Sequence, residues 1–438
     1  MGDNKRLAII GGGPGGLAAA RVFLENAKGF QVELFESDSE IGGVWHYCDD
    51  EDKEGRVMYD YLETNIPKEL MKFSGYPFPD SVSKFPKRGD VWKYLKSYFK
   101  EFIESQSAFK AHLNTKVSNV FKKDGEWMVV VKDESNDVDE YVFDYVIFAN
   151  GHYSTPRIPN EIPGLNQWFE NNSAFHSKDF QNCEFAKGKN VIVIGNGSSG
   201  QDITIQLSSV AKKVYNSVHD VEKSQCVAIG LTNLIEIIPS IDETEWINHS
   251  VKLSNGKVLN DIDFIVSATG FYYDLRILEP NLRKDLLGTT SVSETAGTKM
   301  YNLWEQIFYV NDKTIAFSLL PQLVIPFPLA ELQASVMVKV FTNKLEVPST
   351  PQGNDDPNYH YFPNYTDIDY YRLLQSLLDS HDGDKDKFKP VKWDGEYEKM
   401  RRGCTELKRQ RNLKLFLYAQ KLRKEHIPYH LIPPEEDI

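Results

Sequence analysis

The sequence predicts an α/β chain of two three-layer units, each a mostly parallel sheet between helices, with the second unit inserted into the first. Two glycine-rich runs predict it, Gly11-Gly12-Gly13-Pro14-Gly15-Gly16 and Gly195-Asn196-Gly197-Ser198-Ser199-Gly200. Each comes after a short apolar strand and opens a helical stretch, the context that turns a glycine pattern into a Rossmann-like dinucleotide fingerprint. Two such fingerprints imply two dinucleotides and a chain that passes electrons between them.

Leu7-Ala8-Ile9-Ile10 reads as a buried strand, and Leu17 to Leu24 as the helix whose amino terminus receives a phosphate. Val32-Glu33-Leu34-Phe35 is the next strand. It ends at Glu36, placed about 20 residues beyond the last glycine, where a carboxylate accepts from a ribose hydroxyl. In the second unit Val191–Ile194 is the strand and Gln201 to Val210 the helix, succeeded by the strand Lys213 to Val218. The residues after that strand choose between NADH and NADPH. Asp220 suits a free ribose hydroxyl, whereas His219 and Lys223 suit a 2′-phosphate, and no arginine stands in the expected place.

Between the fingerprints the pattern predicts a helix over Asp90–Ser105, strands at Lys116–Phe121 and Trp127–Lys132, and a polar turn at Asp133–Asp139. An apolar strand at Val142–Ala149 comes next, and Pro156, Pro159 and Pro163 mark a crossing between units. Phe264–Gly270 closes the second unit. The expected division is 1–160 and 294–438 for the first unit and 161–293 for the second. Phe317–Ala334 is the most apolar stretch, but its prolines and Glu331 favour a buried loop entering a helix. Asp379–Asp386 reads as a solvated loop, and the Lys- and Arg-rich helix Glu396–Lys424 as a charged outer face.

Composition narrows the function classes. The 438 residues carry a formal net charge of -13, with 41% hydrophobic and 26% charged residues, the profile of a globular protein and not of a polyanion binder. Nucleic acid is therefore not an expected partner. Cys48, Cys183, Cys226 and Cys404 are scattered, with no CxxC. This pattern offers neither zinc ligands nor the closely spaced pair of a disulfide reductase, and it suits reduced thiols in the cytoplasm. No stretch reaches the roughly 20 apolar residues of a membrane helix. A secretory signal processed from the chain stays open, as does assembly into a homo-oligomer.

In motif order the chain resembles the flavin-containing monooxygenases. The resemblance rests on the first fingerprint, Glu40-Ile41-Gly42-Gly43-Val44-Trp45, Leu62-Glu63-Thr64-Asn65-Ile66-Pro67-Lys68-Glu69-Leu70-Met71, the second fingerprint, Ser267-Ala268-Thr269-Gly270-Phe271 and Pro328-Leu329-Ala330-Glu331-Leu332-Gln333. One family run departs: it is recognisable from Phe169 through His176 to Phe180, but Phe169 stands one residue early, Asn172 replaces a glycine and Phe180 replaces a tyrosine. The Baeyer–Villiger branch has tryptophan at the last position, so Phe180 leans toward oxygenation of heteroatoms.

The resemblance implies FAD reduced by NADPH, O2 adding at the flavin C4a to give a hydroperoxide, and attack on its distal oxygen by a soft nucleophile. It implies Asn65 as the catalytic residue, its amide holding the hydroperoxide. The cofactor-binding set it implies is Gly11, Gly13, Pro14, Gly15, Gly16, Glu36, Gly43, Val44, Trp45, Thr64, Asn65, Val117, Gly195, Gly197, Ser198, Ser199, Gly200, Ser217, His219, Thr269, Gly270 and Gln322, with no metal. Tyr47 lies in the same FAD motif. Gln322 and Gln333 lie near the flavin loop or serve as satisfied core amides, and His152 and His176 read as structural. The expected substrate is a tertiary amine or a thioether. The TNIPKELM form of the asparagine motif looks most like insect enzymes that N-oxygenate pyrrolizidine alkaloids such as senecionine. Baeyer–Villiger or NADPH oxidase activity on the same fold, and a non-catalytic redox sensor, are the alternatives.

Overall fold

The computed structural model describes residues 4–47, 57–132, 138–222, 233–381, 385–433 and 437. The chain divides into two compact units, one of Met1–His46, Ile66–Thr155 and Tyr272–Gly403, the other of Tyr47–Asn65, Pro156–Phe271 and Cys404–Ile438. The expected boundaries at 160 and 293 move to 155 and 271, and two assignments change. Residues 47–65 and 404–438, expected with the first unit, belong to the second. Their apolar side chains decide this: Tyr59, Leu415, Phe416, Ala419 and Leu422 are buried in one core with Val191, Ile203 and Val266.

In the first unit a seven-stranded sheet carries the fingerprint strand Lys5–Ile10 near its centre. Phe30–Phe35 pairs parallel on one side (Leu7 opposite Val32) and Tyr145–Phe148 parallel on the other (Ile9 opposite Ile147). Chain order reverses across this central strand, which opens a crevice at the carboxyl ends of the strands. The helix Pro14–Asn26 starts with proline at its first position, where no N–H is missed. It packs on Pro326–Phe341, the helix that the apolar stretch was expected to enter, with Phe23 and Phe341 rings 5.7 Å apart.

The expected strand Val142–Ala149 is two strands. Val138–Phe143 completes an antiparallel meander with Lys116–Lys123 and Glu126–Lys132, and Tyr145–Phe148 enters the parallel sheet. Asp144 makes the break, since its carboxylate accepts from Lys5 Nζ (3.1 Å) and Arg6 N (2.8 Å). The turn expected at Asp133–Asp139 falls mostly outside the described residues. Asp386, expected in a solvated loop, accepts from Nζ of the fully buried Lys339 at 2.8 Å.

The second unit repeats the plan with five parallel strands. Asn190–Ile194 lies between Lys213–Ser217 and Phe264–Ser267, which it pairs in register (Val193 opposite Asn216 and Val266). The helix here runs Ser198–Leu207. Helix Gly395–Lys424 is not a mere charged face, because one side of its second half is buried core. Among the described residues no helix is long and apolar enough to cross a membrane.

Candidate functional site

The two glycine turns are near-copies in backbone geometry. Gly11 has φ +107° and Gly195 φ +105°, values open to glycine and strained for other residues. A Cβ on Gly11 would lie 2.4 Å from Ala149 O, and one on Gly195 would lie 2.4 Å from Ala268 O. Each turn is tied down by the same bonds: Gly11 N to Phe35 O (2.8 Å) and Gly195 N to Ser217 O (2.9 Å). A Cβ on Gly16 would stand 1.9 Å from Gly11 O, and one on Gly200 would stand 2.2 Å from Gly195 O. Each helix therefore starts pressed against its own turn.

Both turns fit a dinucleotide diphosphate. The caps Gly13 and Gly197 make no side-chain hydrogen bond to the helix, and neither first turn contains an acidic residue. Among the described residues, no acidic side chain within either first turn competes for the leading N–H groups. Gly197, Ser198 and Ser199 are exposed, and a Cβ on Gly197 would meet nothing within 4 Å.

Around the first turn the family motif assembles as a second layer. Gly42 N donates to Gly12 O at 2.9 Å, and a Cβ on Gly43 (φ +55°) would lie 2.9 Å from Gly13 Cα. Val44 and Trp45 continue in a single helical turn and are half-buried. Glu36 is buried at the end of its strand, with Oε2 accepting from Gly12 N (2.7 Å) and Oε1 from Asp38 N (2.9 Å). Its remaining lone pairs suit a ribose hydroxyl. Val117 is a buried strand residue in the core of the first unit.

Gln322 and Gln333 part company. Gln333 is a fully satisfied core amide, with Oε1 accepting from Leu319 N (2.9 Å) and Nε2 donating to Tyr370 Oη (3.1 Å). Gln322 is half-buried, donates to Tyr273 Oη (3.1 Å) and lines a small cavity with Tyr273, Lys299 and His360. His152 lies deep in the same unit, and burial pulls its pKa down to about 4.

In the second unit Ser217 Oγ donates inward to Pro239 O at 3.1 Å, while His219 and Asp220 are exposed. Lys223, the other candidate for a 2′-phosphate, lies outside the described residues, as do Cys48 and Cys226. Cys183 and Cys404 are buried, with Cys183 Sγ 3.6 Å from Ser209 Oγ. Thr269 Oγ1 donates to Arg157 O, and Gly270 O accepts from Arg157 N (2.9 Å), which holds the loop after the closing strand. Tyr47 Oη donates to Asp60 at 2.7 Å within this unit. The altered linker run has a physical reading: Asn172, where the family has glycine, sits at φ +54°, a conformation asparagine tolerates better than most residues. His176 is buried and its Nδ1 accepts from Lys178 N (3.1 Å), with burial lowering its pKa to about 4. Phe180 is buried edge-on to Tyr59 at 5.2 Å.

Thr64 is buried and Asn65 exposed, at the end of a segment whose packing the sequence did not explain. The residue missed there is Glu63, 4% exposed and bonded to Lys408 and Arg411. Its partners lie about 345 positions away, beyond any spacing argument.

Residues 4–222 match the sequence profile of the flavin-binding monooxygenase-like family. The chain is 48% identical over 435 residues to the thiol-specific monooxygenase of Saccharomyces cerevisiae, covering 99% of both. It is 29% identical over 384 residues to the flavin-containing monooxygenase FMO GS-OX3 of Arabidopsis thaliana, covering 82% and 78%. The solved S-allyl-L-cysteine S-oxygenase of Allium sativum superposes with a TM-score of 0.78 at 23% identity, over 96% of this chain and 98% of that one. The narrower resemblance to insect pyrrolizidine alkaloid N-oxygenases is not shown by these relatives. Fold, fingerprints and relatives agree: the chain belongs to the flavin-binding monooxygenase-like family, an oxidoreductase with FAD and NADPH as its cofactors.

Proposed function

We infer that this flavin monooxygenase oxidises the sulfur of small thiols, with NADPH as electron donor. The observation that carries this is 48% identity, end to end, with a yeast enzyme named for thiols. The balance is RSH + O2 + NADPH + H+ → RSOH + NADP+ + H2O, and the sulfenic acid then condenses with a second thiol to give a disulfide and water. Bound FAD supplies the redox chemistry that divides O2 between product and water.

This chain's own residues do the rest. The Gly11–Gly16 turn and Glu36 would hold FAD by its diphosphate and ribose, with Gly43, Val44, Trp45 and Gln322 as further candidates, whereas Val117 would serve through the core beneath them. The Gly195–Gly200 turn, His219 and Gly270 would hold NADPH, with Ser217 and Thr269 fixing the backbone there through their own bonds to Pro239 O and Arg157 O. Asn65, whose amide can both donate and accept, would be the residue that holds the reacting oxygen. Fixed donors of this kind are what keep oxygen on the path to substrate.

A panel of small thiols, thioethers, tertiary amines including a pyrrolizidine alkaloid, and ketones, scored by substrate-dependent NADPH consumption with product identified, tests the reading. Thiols are expected to be preferred by on the order of tenfold or more, a discrimination a shaped pocket supplies, with disulfide as product. N-oxide from amines as the main product would overturn it in favour of the amine reading, and ester from ketones would move the chain to Baeyer–Villiger chemistry. Peroxide formed at one rate whatever is added would make it an NADPH oxidase. Separately, His219→Ala should raise KM for NADPH about tenfold and leave NADH nearly unchanged, the loss of one charge-assisted hydrogen bond to phosphate. Equal loss for both nucleotides would remove His219 from the phosphate site.

A further inference from the structure

Residues Tyr59–Thr64 form a strap fastened at both ends within the second unit. Tyr59 Oη donates to Asp202 of the fingerprint helix Ser198–Leu207, and Gln206 Nε2 of the same helix donates to Tyr61 O at 3.3 Å. At the far end Lys408 Nζ donates both to Glu63 Oε1 (2.9 Å) and to the carbonyl of Thr64 (3.1 Å). Arg411 grips both carboxylate oxygens of Glu63, through Nε at 3.1 Å and Nη2 at 2.7 Å, and also pairs with Asp437. Glu63 and Thr64 are 4% and 3% exposed, and the next residue, Asn65, is exposed. The chain is thus clamped at the peptide that leads into the exposed Asn65.

We propose that Lys408, acting through the Thr64 carbonyl and Glu63, is a positioning residue that aims the Asn65 amide. This rests on the reading of Asn65 as the residue that faces the reacting oxygen. Arg411 supplies charge balance to Glu63, whereas Lys408 touches both that carboxylate and the backbone leading into Asn65. Without it the Thr64 carbonyl loses this donor and the hold on the peptide before Asn65 weakens. A displacement of about 1 Å at a reacting centre is enough to cost on the order of a hundredfold in rate.

The test uses the FAD-loaded enzyme and measures peroxide released per NADPH consumed. Asn65→Ala and Lys408→Met should each raise that ratio about fivefold or more while flavin content and reduction by NADPH are kept, and Lys408→Arg should restore most of the coupling. The double variant should be no more uncoupled than Asn65→Ala alone, because both act at one point. Normal coupling in Lys408→Met, with Asn65→Ala uncoupled, overturns the proposal and leaves Asn65 standing. Normal coupling in Asn65→Ala overturns the reading beneath it. Should Lys408→Met fail to fold, Glu63→Gln, which keeps the side chain's size and weakens the same clamp, is read by the same two outcomes.

Discussion

Gly16→Val is expected to purify without bound flavin. The new Cβ would sit 1.9 Å from Gly11 O and 3.1 Å from its carbonyl carbon, so helix Pro14–Asn26 must move away from its turn. Neither contact atom can yield, since Gly11 is fixed by its N–H bond to Phe35 O. Overpacking costs about 1–3 kcal/mol, and each charge-assisted hydrogen bond to phosphate lost by the displaced helix costs about 1.5–3 kcal/mol more. With two such bonds lost these come to about 4 kcal/mol or more, roughly a thousandfold in flavin affinity. The ratio of flavin to protein absorbance after purification checks it. Gly200→Val makes the matching collision in the second turn, 2.2 Å from Gly195 O, and should stay yellow while KM for NADPH rises steeply. A yellow Gly16→Val protein would detach FAD from the first turn.

The second expectation concerns acid. Burial holds His152 at about 4 and His360 at about 3, both below the ordinary 6.5. His360 is fixed in its neutral form: Gln306 donates its amide to Tyr359 O, so its Oε1 accepts from Nδ1 (2.7 Å), and Nε2 accepts from Met300 N (3.1 Å). Between the folded and unfolded values the unfolded chain binds a proton that the native form does not. Stability from these groups is therefore full above pH 6.5 and falls as pH drops below it. From pH 6.5 to 5 each histidine costs about 2 kcal/mol, at 1.36 kcal/mol per unit. Glu331 acts in the opposite sense, because burial raises it to about 8 and its native form is already protonated across that window. It offsets about one histidine, and buried Glu305 and Asp367, whose carboxyls burial also raises, act in the same sense, so the histidine contribution is read from the variant against the parent. His360→Gln should flatten the profile, as seen in urea midpoints at the two pH values. An acid loss unchanged in that variant would rule out the buried neutral imidazole as its source.

Legibility in the sequence depends on the distance over which each feature is determined. The fingerprints could be read because strand, turn, helix and Glu36 fall within about 30 consecutive residues, where glycine chemistry and periodicity act directly. The break at Asp144 could not, because its carboxylate answers to Lys5 and Arg6, far upstream. The role of helix Gly395–Lys424 was half visible. Leu415, Phe416, Ala419 and Leu422 keep helical spacing within a charged run, and that apolar stripe was the signal that its second half is buried. Asn172 stood out as a departure from a family pattern, while its positive φ, the reason an asparagine serves there, needed the backbone. Glu63 had no local signature at all.

The twin glycine turns have a last consequence. With φ values and close approaches so nearly equal, neither turn by itself separates one nucleotide from the other, and the difference falls to the residues just beyond each second strand. Behind the first lies Glu36, buried and already bonded to the turn; behind the second lie His219 and Asp220, open to water. On the proposed assignment, a ligand bonded to buried Glu36 would leave slowly, and one resting beside His219 and Asp220 would exchange with solvent. The same fold element would then serve as one lasting fixture and one visitor replaced at every turnover, with residence time set by burial and not by the fingerprint.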